Sequence, residues 1–282
     1  MIPKIVPPLL GAAVLVTRPA EQAGALCARI EELGGEALRF PAIAIEPVDA
    51  PPADRCDLAV FVSVNAVAYG RHLLPPPGSV RVAAIGKATA AALRDVGIPV
   101  DYVPDAGFTS EDLLAHPDLR LSAGMRALIV RGNGGRELLR ETFVAHGLDV
   151  QVREVYRRVQ PAVDPAVLAT LEARWAEGEV DAVTLTSVVT FENLRAMLSE
   201  RGRDLLQTTP VLVVSERIAA AVRAAGHQAE IIVAPGADEA SMIGALTRWY
   251  ARARDPLKPD PRLRPEKSAP GTADESAQKI ER

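Results

Sequence analysis

Tyr156 is one of four tyrosines in the chain and stands in the connector Glu154-Val155-Tyr156-Arg157-Arg158-Val159-Gln160-Pro161. A phenol there can give a proton to a leaving group without carrying a charge, although an aromatic in a connector more often packs. Arg157 and Arg158 add positive charge beside it. Ser63 and Ser187 each close an apolar run and precede a helical stretch. A hydroxyl so placed either caps its helix or joins backbone N–H groups in holding an anion. As nucleophiles both are weak, with no elbow and no histidine partner in view. Gly132-Asn133-Gly134-Gly135, flanked by Arg131 and Arg136, follows a strand pattern and leads into a helix. Such a turn can cradle an anion, and the guanidinium groups suit a carboxylate. It is not a dinucleotide fingerprint, because position 137 is Glu137 where a third Gly is needed. A tight turn without ligand is its equal alternative. Lys87 follows Ile85-Gly86 at another strand-to-helix turn, with solvated surface as the rival reading. Its counterpart in the second half is Glu216, between Ser215 and Arg217.

The elements that must position these residues come twice. Leu15, Arg18, Leu26 and Gly34 fall on Leu128, Arg131, Leu139 and Gly147 at one offset; Asp57, Ser63, Arg71 and Leu74 fall on Asp181, Ser187, Arg195 and Leu198 at a second. Val82 to Leu114 matches Val211 to Ile243 at a third, with Gly97 on Gly226 and Gly107 on Gly236. A doubled unit of this size predicts two similar α/β lobes with a ligand cleft between them. Short apolar runs, among them Ala13-Thr17, Leu58-Val62, Val100-Val103, Ala127-Val130 and Ala182-Thr186, alternate with helical stripes, which predicts parallel sheets with right-handed crossovers. Asp164-Pro165 signals a helix start, Thr109-Ser110-Glu111-Asp112 another, and one helical stripe is expected to stop near Gly202. Phe40 to Pro47 and Glu154 to Pro161 are extended, end in Pro and hold matching places in the repeat, as two crossings between lobes would. The repeat alone leaves open whether the lobes are contiguous or one is discontinuous.

Composition bounds the rest. The chain has 282 residues, 48% of them apolar and 24% charged, with a net charge of −4. That is long enough for two domains, and it offers no basic field for nucleic acid. No apolar run is long enough for a membrane span or secretory leader. Two cysteines, Cys27 and Cys56, point to a reducing, cytoplasmic setting. His72, His116, His146 and His227 are scattered, which argues against a metal site. The stretch from about Ala253 mixes Pro with charge and is expected to be disordered.

Val14-Leu15-Val16-Thr17-Arg18-Pro19, Phe61-Val62-Ser63-Val64-Asn65, Ala84-Ile85-Gly86-Lys87, Arg131-Gly132-Asn133 with Arg136, Glu154-Val155-Tyr156 and Leu185-Thr186-Ser187 occur in this order. In that order and spacing, over residues 12 to 248, the chain resembles the uroporphyrinogen-III synthases. It departs from them at Val62, where the family usually has Thr, and at Val214-Ser215-Glu216-Arg217, which lacks the usual Ile-Gly. The resemblance implies two flavodoxin-like parallel-sheet lobes joined by a two-stranded linker: a discontinuous lobe of residues 1–40 and 162–252, a lobe of residues 48–153, linkers at 41–47 and 154–161, and a tail from 253 to 282. It implies a monomeric lyase, without metal or organic cofactor, that closes hydroxymethylbilane to uroporphyrinogen III with loss of water and inversion of the terminal ring. Tyr156 would then assist departure of the hydroxyl. Arg18, Ser63, Lys87, Arg131, Asn133, Ser187 and Ser215 would hold carboxylates or frame the cleft. A non-catalytic protein on the same fold that binds a tetrapyrrole or another small ligand in a regulatory role is the alternative.

Overall fold

The runs Ala13–Val16, Leu58–Phe61 and Ala182–Leu185 are buried at every residue, as strands covered on both faces must be. A computed structural model, which describes residues 6–53, 55–74 and 80–254, shows what covers them. Its elements in chain order are β1 (Ala13–Val16), α1 (Ala20–Glu32), β2 (Glu36–Arg39), β3 (Ala44–Pro47), β4 (Leu58–Phe61), α2 (Val64–Gly70), β5 (Arg81–Ala84), α3 (Lys87–Asp95), α4 (Ser110–Leu114) and β6 (Arg126–Gly132). There follow α5 (Leu138–Ala145), β7 (Asp149–Val159), α6 (Pro165–Ala176), β8 (Ala182–Leu185), α7 (Val188–Met197), α8 (Glu200–Thr208), β9 (Val211–Val213), α9 (Glu216–Ala224), β10 (Ile231–Val233) and α10 (Glu239–Ala253).

The chain divides at Phe40/Pro41 and again at Ala162/Val163 into two compact units. The first carries a parallel sheet of order β10-β9-β8-β1-β2. The second carries the order β3-β7-β6-β4-β5, parallel except for β3, and a bridge from Ala83 to Tyr102 extends it past β5. Leaving β3 aside, the two orders follow the sequence repeat, with β1, β2, β8 and β9 matching β6, β7, β4 and β5.

Alternation along each strand splits the apolar side chains between two layers. In β4, Ala59 and Phe61 pack with Val82, Leu128 and Val130, while Leu58 and Val60 pack with Ile129, Leu139 and Phe143. In the first unit Val14 and Val16 pack with Leu26, Ile30 and Leu246. The two extended segments become β3 and the far half of β7. They pair antiparallel from Ala44–Val159 to Pro47–Tyr156, with Arg157 on Glu46 at 2.8 Å.

The local signals at two helix starts hold. Asp164 caps α6 with Pro165 at its first position, and Thr109 and Asp112 form a capping box on α4. Two expectations need correction. Val100–Val103 is a bridge and not a strand, because the Asp101 carboxylate takes the Val82 N–H at 2.7 Å that a ladder carbonyl would accept. The stripe expected to end near Gly202 ends at Met197; Leu198 is extended, and Ser199 caps a new helix, α8, that contains Gly202. There Ser199 donates its N–H (2.9 Å) and hydroxyl (2.6 Å) to the buried carboxylate of Glu172. Helix α10 ends at Ala253, and the tail expected from about that point, residues 255–282, lies outside the described residues. Among the described residues no helix is long and apolar enough to cross a membrane.

His227 follows Gly226, whose φ is +84°. Both its ring nitrogens are buried without a hydrogen-bond partner among the described residues. Burial pushes its pKa below the ordinary 6.5, so the unfolded chain binds a proton there more readily than the folded one. Stability at this site is intact above pH 6.5 and is lost as pH falls from 6.5 toward the depressed folded value. The carboxylates of Glu36, Asp57, Asp112 and Asp238 are held below their ordinary range by hydrogen bonds and lose stability only at more acid pH. Melting curves should therefore fall as pH drops below about 6.5 for the native chain and fall less for His227→Gln; parallel curves would exclude this role for His227.

Candidate active site

The C-terminal ends of β4 and β6 and the middle of β7 bring Ser63, Gly132 and Tyr156 together. Opposite the end of β6 the β6–β7 register shifts, so that Arg131 faces Glu154 and Gly132 faces Tyr156. The Asn133 N–H donates to the Tyr156 carbonyl at 2.8 Å. Tyr156 is only 2% exposed, and its ring lies directly over Gly132. A Cβ on that glycine would sit 2.5 Å from Cε2 and 2.9 Å from Cε1 of the tyrosine. Only glycine admits such an approach.

Among the described residues the phenol oxygen has two hydrogen-bond partners. Ser63 Oγ and Tyr156 Oη share a hydrogen bond of 3.0 Å in which either hydroxyl can donate. Arg158 Nη2 donates to the same Oη at 3.3 Å, and its guanidinium carbon lies 5.5 Å from the ring centroid. Ser63 is fixed because it caps α2, accepting the Ala66 N–H at 3.1 Å. Beside these groups opens a cavity of about 320 Å³ with Val62, Ile85, Ile129 and Leu139 on its apolar side and Thr109 and Arg136 among its polar groups.

Arg131 does not point a free cation into this cavity. Its Nη1 donates to the carbonyls of Gly135 (3.3 Å) and Arg136 (3.2 Å), and its Nη2 to Glu137 (2.7 Å) and Glu154 (3.3 Å). The side chain is 11% exposed, and its buried Nε has no partner among the described residues. It braces the turn from Gly132 to Glu137. Asn133 joins the brace, its Nδ2 donating to Glu154 at 2.9 Å. Arg136 pairs with Glu111 of α4, donating from Nη1 at 3.1 Å, which holds the Glu111 carboxyl below the usual range. Lys87 stands exposed at the first position of α3.

The remaining predicted residues belong to the first unit. Ser187 caps α7, accepting the Thr190 N–H at 3.0 Å, in the same extended conformation as its repeat partner Ser63. Ser215 is the N-cap residue of α9 but makes no side-chain cap bond. Arg18, the repeat partner of Arg131, also turns back on its own unit, to the carbonyl of Ala237 and the sulfur of Met242 (3.0 Å). Burial lowers its pKa, opposed by Glu239 and Asp238.

A more open depression of about 450 Å³ lies on the other side of Arg131. Its guanidinium groups are already engaged: Arg131 as above, Arg140 with Glu137 at 3.8 Å, and Arg153 with the Pro51 carbonyl at 3.1 Å. The cavity at Tyr156, with hydroxyls and an apolar wall, is the better candidate.

Sequence reasoning singled out Ser63 and Tyr156 separately and had no signal that they touch. Phe108, which also lines the cavity, went unnoticed. Its trace in the sequence is a large apolar residue between Gly107 and the cap Thr109.

Gly132→Ala should displace the Tyr156 ring. Overpacking of this kind costs about 1–3 kcal/mol, and displacing a reacting group by about 1 Å costs roughly a hundredfold in rate. A Gly132→Ala protein with native kinetics would show that the close approach is not needed.

A family model described as uroporphyrinogen-III synthase HemD matches residues 24–244. The chain is 37% identical over 247 residues to the uroporphyrinogen-III synthase of Escherichia coli, covering 83% of this chain and 99% of that one. The crystal structure of a mutant uroporphyrinogen III synthase from the extremely thermophilic bacterium Thermus thermophilus aligns with a TM-score of 0.53 at 25% identity, covering 86% of this chain and 99% of that one. The uroporphyrinogen-III synthetase of Helicobacter pylori aligns over 84% of this chain and 99% of its own with a TM-score of 0.54 at 14% identity, a likeness of fold alone. The α/β fold with its parallel sheets and the match along nearly the whole length of the E. coli enzyme lead to one conclusion: the chain belongs to the uroporphyrinogen-III synthase family.

Proposed function

We propose that this lyase closes the linear tetrapyrrole hydroxymethylbilane to uroporphyrinogen III, and that the cavity beside Tyr156 receives the end of the substrate that loses its hydroxyl. The observation that carries the reaction is the 37% identity spanning 99% of the E. coli enzyme. The location is supported by the Ser63–Tyr156 hydroxyl pair facing an apolar wall.

The step is the loss of water. Tyr156 Oη gives its proton to the leaving hydroxyl, and the C–O bond breaks with its electron pair going to that oxygen. Water departs, leaving an azafulvene-type cation. The substituted carbon of the terminal pyrrole attacks that cation to give a spiro intermediate, which fragments and recloses with the ring inverted, and the proton released as the inverted ring regains its aromaticity returns to the Tyr156 phenolate. Unguided closure gives the type I isomer, so the protein's task is positioning and stabilisation of developing charge. Ser63 holds the phenol in place and takes part in its hydrogen bond.

For the eight carboxylates of the substrate we assign Lys87 and the N–H groups of the turn that Arg131 and Asn133 brace. From the first unit we assign Ser187 and Ser215 at the starts of α7 and α9, and Arg18. Helix starts hold anions without a basic surface. The finer architecture goes with this reading: flavodoxin-like lobes of residues 1–40 with 162–252 and of 48–153, and connectors 41–47 and 154–161. The shared strand order of the two sheets supports it.

Purified protein added to fresh hydroxymethylbilane should give mainly type III porphyrin after oxidation. A product that is all type I would return the chain to the non-catalytic binder. Tyr156→Phe should lose about 10²–10⁴-fold in turnover while remaining folded, and full turnover in that variant would remove Tyr156 from the proton transfer.

A further inference from the structure

Phe108 is 69% exposed and lies on the rim of the cavity that holds Tyr156. A single exposed apolar residue needs no explanation by itself. Here, however, the surroundings fix the backbone that carries the ring. The preceding Gly107 has φ +82°, a conformation side chains rarely tolerate. The following Thr109 donates its hydroxyl (2.6 Å) and its N–H (2.9 Å) to Asp112, closing the capping box of α4. Gly86 leaves room for the phenyl ring, since a Cβ there would lie 3.0 Å from Phe108 Cδ1. Arg136 on Glu111 ties α4 to the turn after β6. The backbone on either side of the aromatic is thus pinned, and its ring stands largely exposed on the rim of the cavity.

The cavity of about 320 Å³ is at the small end of ligand pockets, about 300–1,000 Å³. It suits one substituted pyrrole rather than four. On the reading given above, that ring loses its hydroxyl and becomes a flat cation. We infer that Phe108 presents its ring face to this cation and stabilises its formation through the aromatic quadrupole. The contact is noncovalent, and the electrons move as described for loss of water. The positive charge is delocalised over the pyrrole and its methylene carbon. An aromatic face attracts such a charge more strongly than it attracts the neutral ring, so the contact favours the transition state over the bound substrate. Phe108 is accordingly a substrate-contacting residue that acts on the rate of the chemical step.

The test replaces Phe108 by mono-, di- and trifluorophenylalanine, which keep the shape and progressively drain the ring face of charge, alongside Phe108→Ala and Phe108→Tyr. Single-turnover rates with hydroxymethylbilane should fall stepwise along the fluorinated series. Phe108→Ala should be roughly tenfold slow and Phe108→Tyr close to native. Melting temperatures should not change, since the residue is exposed. A flat fluorinated series overturns the inference, whether or not Phe108→Ala is slow or unstable, because packing alone would then explain the residue. The proposed function fails separately, if the unsubstituted protein yields no type III product.

Discussion

The site depends on one close approach, the Tyr156 ring against the backbone of Gly132. It requires the absence of a side chain at the end of β6 and a register shift that sets Tyr156, not its neighbour, opposite that glycine. With the ring so seated, its hydroxyl reaches Ser63, which the capping of α2 holds in place, and the guanidinium of Arg158. The turn after Gly132 must then leave the sheet at once, and Arg131 uses its donors to hold that turn to Glu137 and Glu154. The phenol, the serine and the brace thus follow from one contact between two neighbouring strands.

An acidic chain that binds an octa-acid must find its positive potential locally. Several of its arginines are already engaged within their own unit: Arg131, Arg18, Arg136 and Arg157 each have a carbonyl or carboxylate partner. The exposed pairs can be exchanged at little cost, because surface ion pairs are worth only about 0–1 kcal/mol. The Arg136–Glu111 pair is one of these. Arg131 is different. It is nearly buried and has several partners, so its contribution is the shape of the turn rather than a free charge.

Much of this was legible in the sequence, for identifiable reasons. The repeat placed Ser63 and Ser187 at equivalent helix starts because capping is a local property, set by a few consecutive residues. The capping box at Thr109 and the Asp164-Pro165 start were readable for the same reason. What failed was nonlocal. The Asp101 side chain replaced a strand, and Ser199 opened a helix whose start satisfies Glu172, two helices back. The Ser63–Tyr156 contact joins residues 93 apart, which no spacing rule reaches. Arg131 was recognised as important, but its partners could not be, because a guanidinium beside a glycine turn fits a ligand carboxylate and the turn's own carbonyls equally well.

The most direct test of the account is the structure of the protein with an unreactive bilane bound, one whose terminal hydroxymethyl is replaced by methyl. The account predicts that methyl group in the cavity of the second unit, about 3–3.5 Å from Tyr156 Oη as a near-attack geometry requires, with the pyrrole that carries it on the apolar wall of Val62, Ile85 and Ile129. A bilane bound with that end away from Tyr156, and with the cavity holding only water, would contradict it.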